Sequence, residues 1–164
     1  MEGYAGKTVV ITGGTSGLGY AFAKILGARG ATIVITGRRE EKGQQALEKL
    51  QAEGISARYI QQDVSNESDW NNLAFAVKSE FGTVDYLFNN AGVMLQPNAL
   101  MKTSLDDWKW IVDTNLMAMV RRCRFQLRIP NREIASACLP PMKPHTLFSI
   151  KLMRDTSISC LTLI

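Results

Sequence analysis

The sequence predicts an α/β fold in which a doubly wound parallel sheet carries helices on both faces. Short apolar, β-branched runs alternate with stretches whose apolar residues recur every three or four positions. The first run, residues 8–12, ends abruptly in glycines, and a helical pattern follows at once. Distinctive polar clusters follow the ends of the predicted strands, which is where open α/β sheets bind their ligands.

Each predicted element has its own signal. Strands are expected at four apolar runs, residues 8–12, 32–36, 57–62 and 84–88. The first helix is expected to bury one apolar face, made of Leu18, Ala21, Phe22, Ile25 and Leu26. The second helix, residues 40–53, turns its apolar side chains inward at Ala46, Leu47 and Leu50.

Helix caps mark the next two helices. Ser65 and Asn66 are cap residues before a stripe of apolar positions, Trp70, Leu73, Ala74, Val77 and Phe81. Residues 104–107 form a capping box. The helix that follows it places four apolar residues on one face, Trp108, Ile111, Val112 and Met119.

The glycine turn after the first strand is the centre of the functional prediction. Gly13 lets the chain leave the strand in a conformation that a Cβ would oppose. Gly17 and Gly19 let backbone and ligand approach each other. The free N–H groups of the helix N-terminus then favour phosphate. This arrangement predicts a dinucleotide site, and a tight turn between two packed elements is the plain structural alternative.

The composition changes near residue 120. Up to Val120 the chain has 11 Lys and Arg against 13 Asp and Glu, whereas from Arg121 it has 8 against 2. All 13 glycines precede this break, and all three cysteines follow it. We therefore predict a nucleotide-binding domain at residues 1–120 and a divergent, basic, partly irregular tail at 121–164.

Composition also bears on partners. The basic charge belongs to the tail, so nucleic-acid binding by the body is not expected. The cysteines lack metal-ligand spacing and the chain has one histidine, so no metal is expected. No apolar run reaches the roughly 18 residues of a membrane span, and residues 1–4 lack a signal pattern. A cytoplasmic location is expected.

These motifs, in this order and spacing, resemble the short-chain dehydrogenase/reductase family: Thr12-Gly13-x-x-x-Gly17-x-Gly19, Asp63-Val64, Asn89-Asn90-Ala91-Gly92 and Asn115. The resemblance covers about residues 5–120 and implies a Rossmann-like sheet, incomplete on its C-terminal side. It implies a nicotinamide cofactor and hydride transfer between that cofactor and a carbonyl or alcohol. The cofactor-binding residues it implies are Gly13, Thr15, Ser16, Gly17, Leu18, Gly19, Arg38, Arg39, Asp63, Val64, Asn90, Ala91 and Gly92.

The end of the second strand bears on the choice of nicotinamide cofactor. An acidic side chain there would bond the ribose hydroxyls of NAD. This chain has Gly37 followed by Arg38 and Arg39. A guanidinium pairs well with a 2′-phosphate, so NADP(H) is preferred, with Arg38 as its main contact, and NAD(H) stays open. A solvated basic turn is the structural alternative.

Three polar positions have both structural and functional interpretations. By resemblance Asp63 accepts a hydrogen bond from the adenine amino group, while the alternative is an acceptor within a turn. Asn90 supports the sheet and lies near the cofactor. Asn115, an amide on an apolar stripe, would hold a helix carbonyl and a proton-relay water in the family. An ordinary core asparagine bonded to backbone is the alternative.

The resemblance fails at the proton donor. The family uses a tyrosine, with a lysine four residues later, and all four tyrosines here precede Asn115. Residues 134–136 resemble the strand that holds the family serine, here Ser136, and Phe148 with Lys151 resembles an altered tyrosine–lysine segment. Chance similarity and a truncated, spliced or frame-shifted product are alternatives. We expect partial helix at 117–125, irregular structure beyond it, and an exposed edge on the fourth strand.

Three functions are compatible with this pattern. The first is an NADP-binding domain from an oxidoreductase family, with impaired catalysis. The second is a non-catalytic or regulatory subunit that pairs with itself or an intact relative through the Asn115 helix. The third is an enzyme that uses Ser136 and Lys151 without a tyrosine. The substrate is not predicted.

Overall fold

The computed structural model describes residues 3–94, 102–122 and 135–138. These residues form a parallel sheet of five strands in the spatial order β3-β2-β1-β4-β5. The strands are β1 Thr8–Thr12, β2 Thr32–Gly37, β3 Ala57–Gln61, β4 Tyr86–Asn89 and β5 Ala135–Cys138. The helices are α1 Gly17–Gly27, α2 Glu40–Ala52, α3 Glu67–Phe81 and α4 Leu105–Val112. The predicted fold class is confirmed.

The core consists of two apolar layers, one on each face of the sheet. Alternate residues of β1 point to opposite faces, so Val9 and Ile11 pack against α1 and α2 while Val10 packs against α3. All three side chains are fully buried. A strand covered on both faces is mostly apolar along its length, which explains the apolar runs in the sequence.

The helix that follows α4 is irregular. A π-helical segment, Asp113–Met117, continues from α4, and residues 118–122 are α-helical again. Ala118 lies in the core layer that includes Trp70. Among the described residues, no helix is both long enough and apolar enough to cross a bilayer.

The helix caps and two apolar stripes agree with expectation. The Asn66 side chain caps α3, and Ser104 and Asp107 form a reciprocal capping box at α4. The α3 stripe is buried from Trp70 to Val77. On α2, Ala46 and Leu50 are buried.

The expected buried face of α1 is correct only in part: Leu26 is buried and Phe22 packs against the core, whereas Leu18, Ala21 and Ile25 are exposed. Leu18 and Ile25 are about half exposed, at 48% and 49%, and the buried residues are Gly19, Ala23 and Leu26. A Cβ at Gly19 would lie 2.6 Å from the Gly13 carbonyl oxygen. Two of the three buried residues of α1 are thus small, Gly19 and Ala23, while the larger side chains of Leu18 and Ile25 are about half exposed.

Two further expectations need correction. The fourth strand was expected to be an exposed edge, but β5 pairs with it in parallel, from Tyr86 opposite Ala135 to Asn89 opposite Cys138. A regular strand therefore lies where irregular structure was expected. The apolar stripe of α4 was expected to pack inward, but no residue of α4 is buried. The domain division at residue 120 stays a prediction, although β5 joins the sheet from beyond it.

Candidate functional site

A cavity of about 280 Å³ lies at the carboxyl edge of the sheet, where β1, β2, β3 and β4 end. Ten of its lining residues were predicted as cofactor contacts: Gly13, Thr15, Ser16, Arg38, Arg39, Asp63, Val64, Asn90, Ala91 and Gly92. Four others were not predicted as contacts, Gly37, Gln62, Val93 and Thr114. The structure thus brings together residues from four separate loops, whereas Gly17, Leu18 and Gly19, at the start of α1, are not among the lining residues.

The turn between β1 and α1 requires glycine. Gly13 has a φ of 65°, and a Cβ there would lie 2.9 Å from the Ala91 Cα. Gly17 also has a positive φ, 57°. This left-handed backbone is accessible to glycine without strain. It brings the start of α1 to the cavity.

Neither a side-chain cap nor an acidic side chain compensates the N–H groups at the N-terminus of α1. The N-cap residue, Ser16, makes no side-chain capping bond, and the first turn has no acidic residue. The first N–H groups of a helix lack intrahelical partners and have a partial positive charge. Within the described residues, this helix end therefore suits an anionic group.

Asn90 ties the ends of β1 and β4 together. Its Nδ2 donates to the Thr12 and Gly13 carbonyl oxygens, at 3.1 Å each. The Thr12 hydroxyl accepts from the backbone N–H groups of Asn90 and Ala91, both at 3.2 Å. The amide group of Asn90 is thus engaged in holding the glycine turn, which supports the structural side of its expected dual role.

Asp63 lies in a turn that follows β3. Its Oδ1 accepts from the Ser65 N–H at 2.9 Å and from the Ser65 hydroxyl at 2.6 Å. Its own N–H donates to Asp69 Oδ2 at 2.7 Å. The expected turn role is therefore present. Both bonds from Ser65 use Oδ1, and no hydrogen bond to Oδ2 occurs among the described residues.

Arg38 and Arg39 follow the end of β2, line the cavity and are exposed. Neither makes an ion pair with a carboxylate in the described part of the chain. The Arg38 guanidinium lies over the ring of Trp110 in α4, with 6.0 Å between its Cζ and the ring centroid. The two arginines thus present positive charge to the cavity, and Trp110 gives one of them a preferred position.

Hydrogen bonds from two side chains of β3 hold the turn that contains these arginines. Tyr59 donates from its hydroxyl to the Gly37 carbonyl at 2.9 Å, and Gln61 Nε2 donates to the Arg38 carbonyl at 2.9 Å. Burial, and then the charge of Glu40, raise the pKa of Tyr59. Its hydroxyl therefore stays protonated as a donor at neutral pH.

Asn115 lies in the π-helical segment and faces the cavity wall. Its side chain bonds to both backbone groups of Val93. A Cβ at Gly92 would lie 3.3 Å from Asn115 Oδ1. Its neighbour Thr114 is buried and lines the cavity. The expected role of Asn115 in a proton relay stays a prediction.

Ser136 is the second residue of β5 and lies opposite Leu87 in the register with β4. Its expected catalytic role stays a prediction. Phe148 and Lys151 lie outside the described residues. In the described part of the chain, no three His, Cys, Asp or Glu residues are grouped so as to hold a metal ion.

Comparisons with known proteins agree with this geometry. A family model described as short chain dehydrogenase matches residues 7–132. A 3-oxoacyl-[acyl-carrier-protein] reductase of Chlamydia pneumoniae is 33% identical over 123 residues, which cover 75% of this chain and 49% of that protein.

Solved structures are also similar. A short-chain dehydrogenase from Burkholderia cenocepacia, in complex with NADP, superposes on this chain with a TM-score of 0.75 at 30% sequence identity. The match covers 84% of this chain and 56% of that protein's chain. A short-chain dehydrogenase/reductase from Burkholderia phymatum, in complex with NAD, superposes with a TM-score of 0.77 at 33% sequence identity. This match covers 84% of this chain and 50% of that protein's chain. The chain spans about half the length of the curated relatives it matches.

Proposed function

Because the chain belongs to the short-chain dehydrogenase family, we propose that it binds NADP(H) in the cavity at the carboxyl edge of the sheet. A nicotinamide bound there would supply the hydride chemistry of the family, a transfer to or from a carbonyl or alcohol. The N-terminus of α1 would hold the pyrophosphate. Asp63 and Val64 would contact the adenine, and Gly92 would lie against the nicotinamide ribose.

The observation that carries the choice of NADP is the pair Arg38 and Arg39. Both line the cavity beyond Gly37, and no described carboxylate pairs with either of them. A carboxylate at this turn would attract the ribose hydroxyls of NAD and repel a 2′-phosphate. Two unpaired guanidinium groups have the opposite preference. Relatives of known structure bind NADP in one case and NAD in another, so the local residues decide.

Catalysis is proposed to be impaired. A carbonyl that accepts a hydride becomes an oxyanion and needs a proton donor close by. The one Tyr-x-x-x-Lys pattern in the 164 residues, Tyr20 to Lys24, lies in α1, where Lys24 pairs with Glu53 at 2.7 Å. None of the four tyrosines lines the cavity. Tyr59, the nearest in sequence to a lining residue, uses its hydroxyl on the Gly37 carbonyl. These residues bind and orient a cofactor but supply no such proton.

The experiment is a comparison of NADPH and NADH binding by thermal unfolding and calorimetric titration. We expect tighter binding of NADPH, and we expect Arg38→Ala to abolish that difference while NADH binding stays unchanged. Lys42→Ala is the matched control, because Lys42 is exposed on α2 and lies outside the cavity lining. Equal affinity for the two cofactors in the wild-type chain would contradict the proposal. NADPH oxidation with a panel of ketones tests the impaired catalysis, and turnover would support the third hypothesis, in which Ser136 and Lys151 act.

A second function, pairing with itself or an intact relative, is favoured by an exposed apolar stripe near Asn115. Four residues spaced by four positions are 41–57% exposed: Trp108, Val112, Leu116 and Val120. An apolar stripe of this kind is typical of a surface that binds another protein. Sedimentation of the wild-type chain and of Leu116→Glu tests it, since a dimer should become a monomer. A monomeric wild-type chain that also fails to bind an intact relative would contradict it.

A further inference from the structure

Gln62 is a buried polar side chain with one unused polar atom. It is 1% exposed, and its Oε1 accepts from the Thr36 hydroxyl at 2.8 Å. Its Nε2 has no hydrogen-bond partner among the described residues. Buried amides normally satisfy both of their polar groups, because leaving one unpaired costs about 1–3 kcal/mol.

The orientation of the amide does not remove this deficit. The Thr36 hydroxyl can both donate and accept, so rotating the Gln62 amide by 180° would exchange the bonded atom for the other. In either orientation one atom is bonded to Thr36 and the other is unpaired. The unpaired atom can therefore be a donor or an acceptor, and a ligand determines which.

The position of Gln62 indicates the ligand. Gln62 is one of the residues that line the cavity, and it directly precedes Asp63 and Val64, which also line it. Under the proposed function these two residues contact the adenine base. We propose that Gln62 is a specificity-determining residue that bonds the polar edge of adenine, formed by N1 and the 6-amino group. The inference rests on the proposed cofactor site.

The edge of adenine suits an amide that can rotate. It presents an acceptor at N1 next to a donor at the amino group, so Gln62 has a partner in either orientation while it keeps its bond to Thr36. Ligand binding thus satisfies a group that the protein alone leaves unpaired. The free-energy cost of leaving this amide atom unpaired is removed only when adenine is bound. The contact therefore favours ligands that carry this base.

The test titrates NADPH into the wild-type chain, Gln62→Met and the double variant Thr36→Val/Gln62→Met. We expect Gln62→Met to weaken NADPH binding about three- to tenfold, which corresponds to one hydrogen bond. The single variant leaves the Thr36 hydroxyl unpaired and lowers the midpoint of unfolding. The double variant removes both partners and restores the midpoint, while binding stays weak. Gln45→Met is the control, because Gln45 is exposed and outside the cavity lining.

A second ligand locates the contact on the base. In reduced 1,N6-etheno-NADP the polar edge of adenine is blocked, so we expect Gln62→Met to bind it as well as the wild-type chain does. An equal loss for both ligands would place the contact elsewhere and overturn the inference. Recovery of NADPH affinity in the double variant would also overturn it, by showing a structural role. If the wild-type chain binds NADPH and Gln62→Met binds it equally, only this inference fails; if the wild-type chain does not bind NADPH, the proposed function fails with it.

Discussion

The side chain of Asn115 bonds to both backbone groups of Val93. Its Oδ1 accepts from the Val93 N–H at 2.8 Å, and its Nδ2 donates to the Val93 carbonyl at 2.8 Å. The amide thus acts as a strand would, because it satisfies a donor and an acceptor of one residue together. It joins the π-helical segment to the loop after β4, and that loop forms one wall of the cavity.

Replacing Asn115 with alanine should destabilise the protein by about 1–3 kcal/mol, because both backbone groups of Val93 lose their partner. Denaturation by urea measures this change. Asn72→Ala is the control, since Asn72 is exposed on α3. A loss no larger than that of the control would show that the two bonds contribute little to stability. Asn115→Asp should retain the bond from the Val93 N–H and lose the other, so its loss should be intermediate.

Replacing Gly13 with alanine should be more harmful than the same change at Gly54. Both glycines have positive φ, 65° and 75°, so both substitutions incur the strain of a left-handed residue, about 1–2 kcal/mol. Only at Gly13 would the new Cβ meet other atoms, since nothing lies within 4 Å at Gly54. We expect Gly13→Ala to lose stability beyond the Gly54→Ala value and to lose NADPH binding. Equal urea midpoints for the two variants would contradict the crowding at the turn.

Trp110 should tune the preference for NADPH through Arg38. The ring lies 6.0 Å from the Arg38 Cζ, and such contacts contribute about 0.5–1 kcal/mol at exposed sites. Trp110→Leu should therefore weaken NADPH binding about two- to fivefold and leave NADH binding unchanged. Trp108→Leu is the matched control, because Trp108 lies in the same helix at a similar exposure, 41% against 39%. An equal effect of both variants, or a loss of NADH binding, would show a general change in α4.

The periodicity of apolar residues predicted where the helices and strands lie better than it predicted which of their side chains are buried. It located α1, but two of the three residues that α1 buries, Gly19 and Ala23, are small, and an apolar pattern gives them little weight. The residues Leu18 and Ile25, which dominate the pattern, are about half exposed. β5 was missed as a regular strand because its four residues, Ala-Ser-Ala-Cys, are small and lack β-branching, so its pairing with β4 overrides a weak local preference.

The cavity-lining residues that the sequence predicted are those that follow the end of a strand. The rule that ligands bind beyond the carboxyl ends of strands singled out Arg38, Asp63 and Asn90, and all three line one cavity. Their contact with a cofactor stays a prediction. The same rule missed Gln62 and Thr114, which are buried and directly precede residues that were singled out. The sequence carries no distinct signal at Gln62, because it directly follows Gln61, which is exposed. The burial of Gln62 depends on the packing between strands, which the sequence alone does not give.

Arg122 is the least compensated charge in the described part of the chain. It is 1% exposed, and its Nε and Nη1 have no hydrogen-bond partner among the described residues. It lies one helical turn after Ala118, which packs in the core layer around Trp70. A buried charge without a partner is strongly unfavourable, and replacing it with an apolar side chain of similar length is commonly stabilising.

Arg122→Met should therefore raise the free energy of unfolding by about 1–4 kcal/mol, measured by urea denaturation at neutral pH. Its neighbour Arg121 is the matched control, because the Arg121 guanidinium pairs with Asp113 at 3.1 Å near the surface. Arg121→Met loses a partly exposed ion pair and should lower stability by no more than about 1 kcal/mol. Arg122→Met and Arg121→Met make the same change of side chain. Opposite changes in the free energy of unfolding would therefore follow from the difference in burial alone. A destabilised Arg122→Met would instead mean that an anionic partner neutralises this guanidinium in the folded chain.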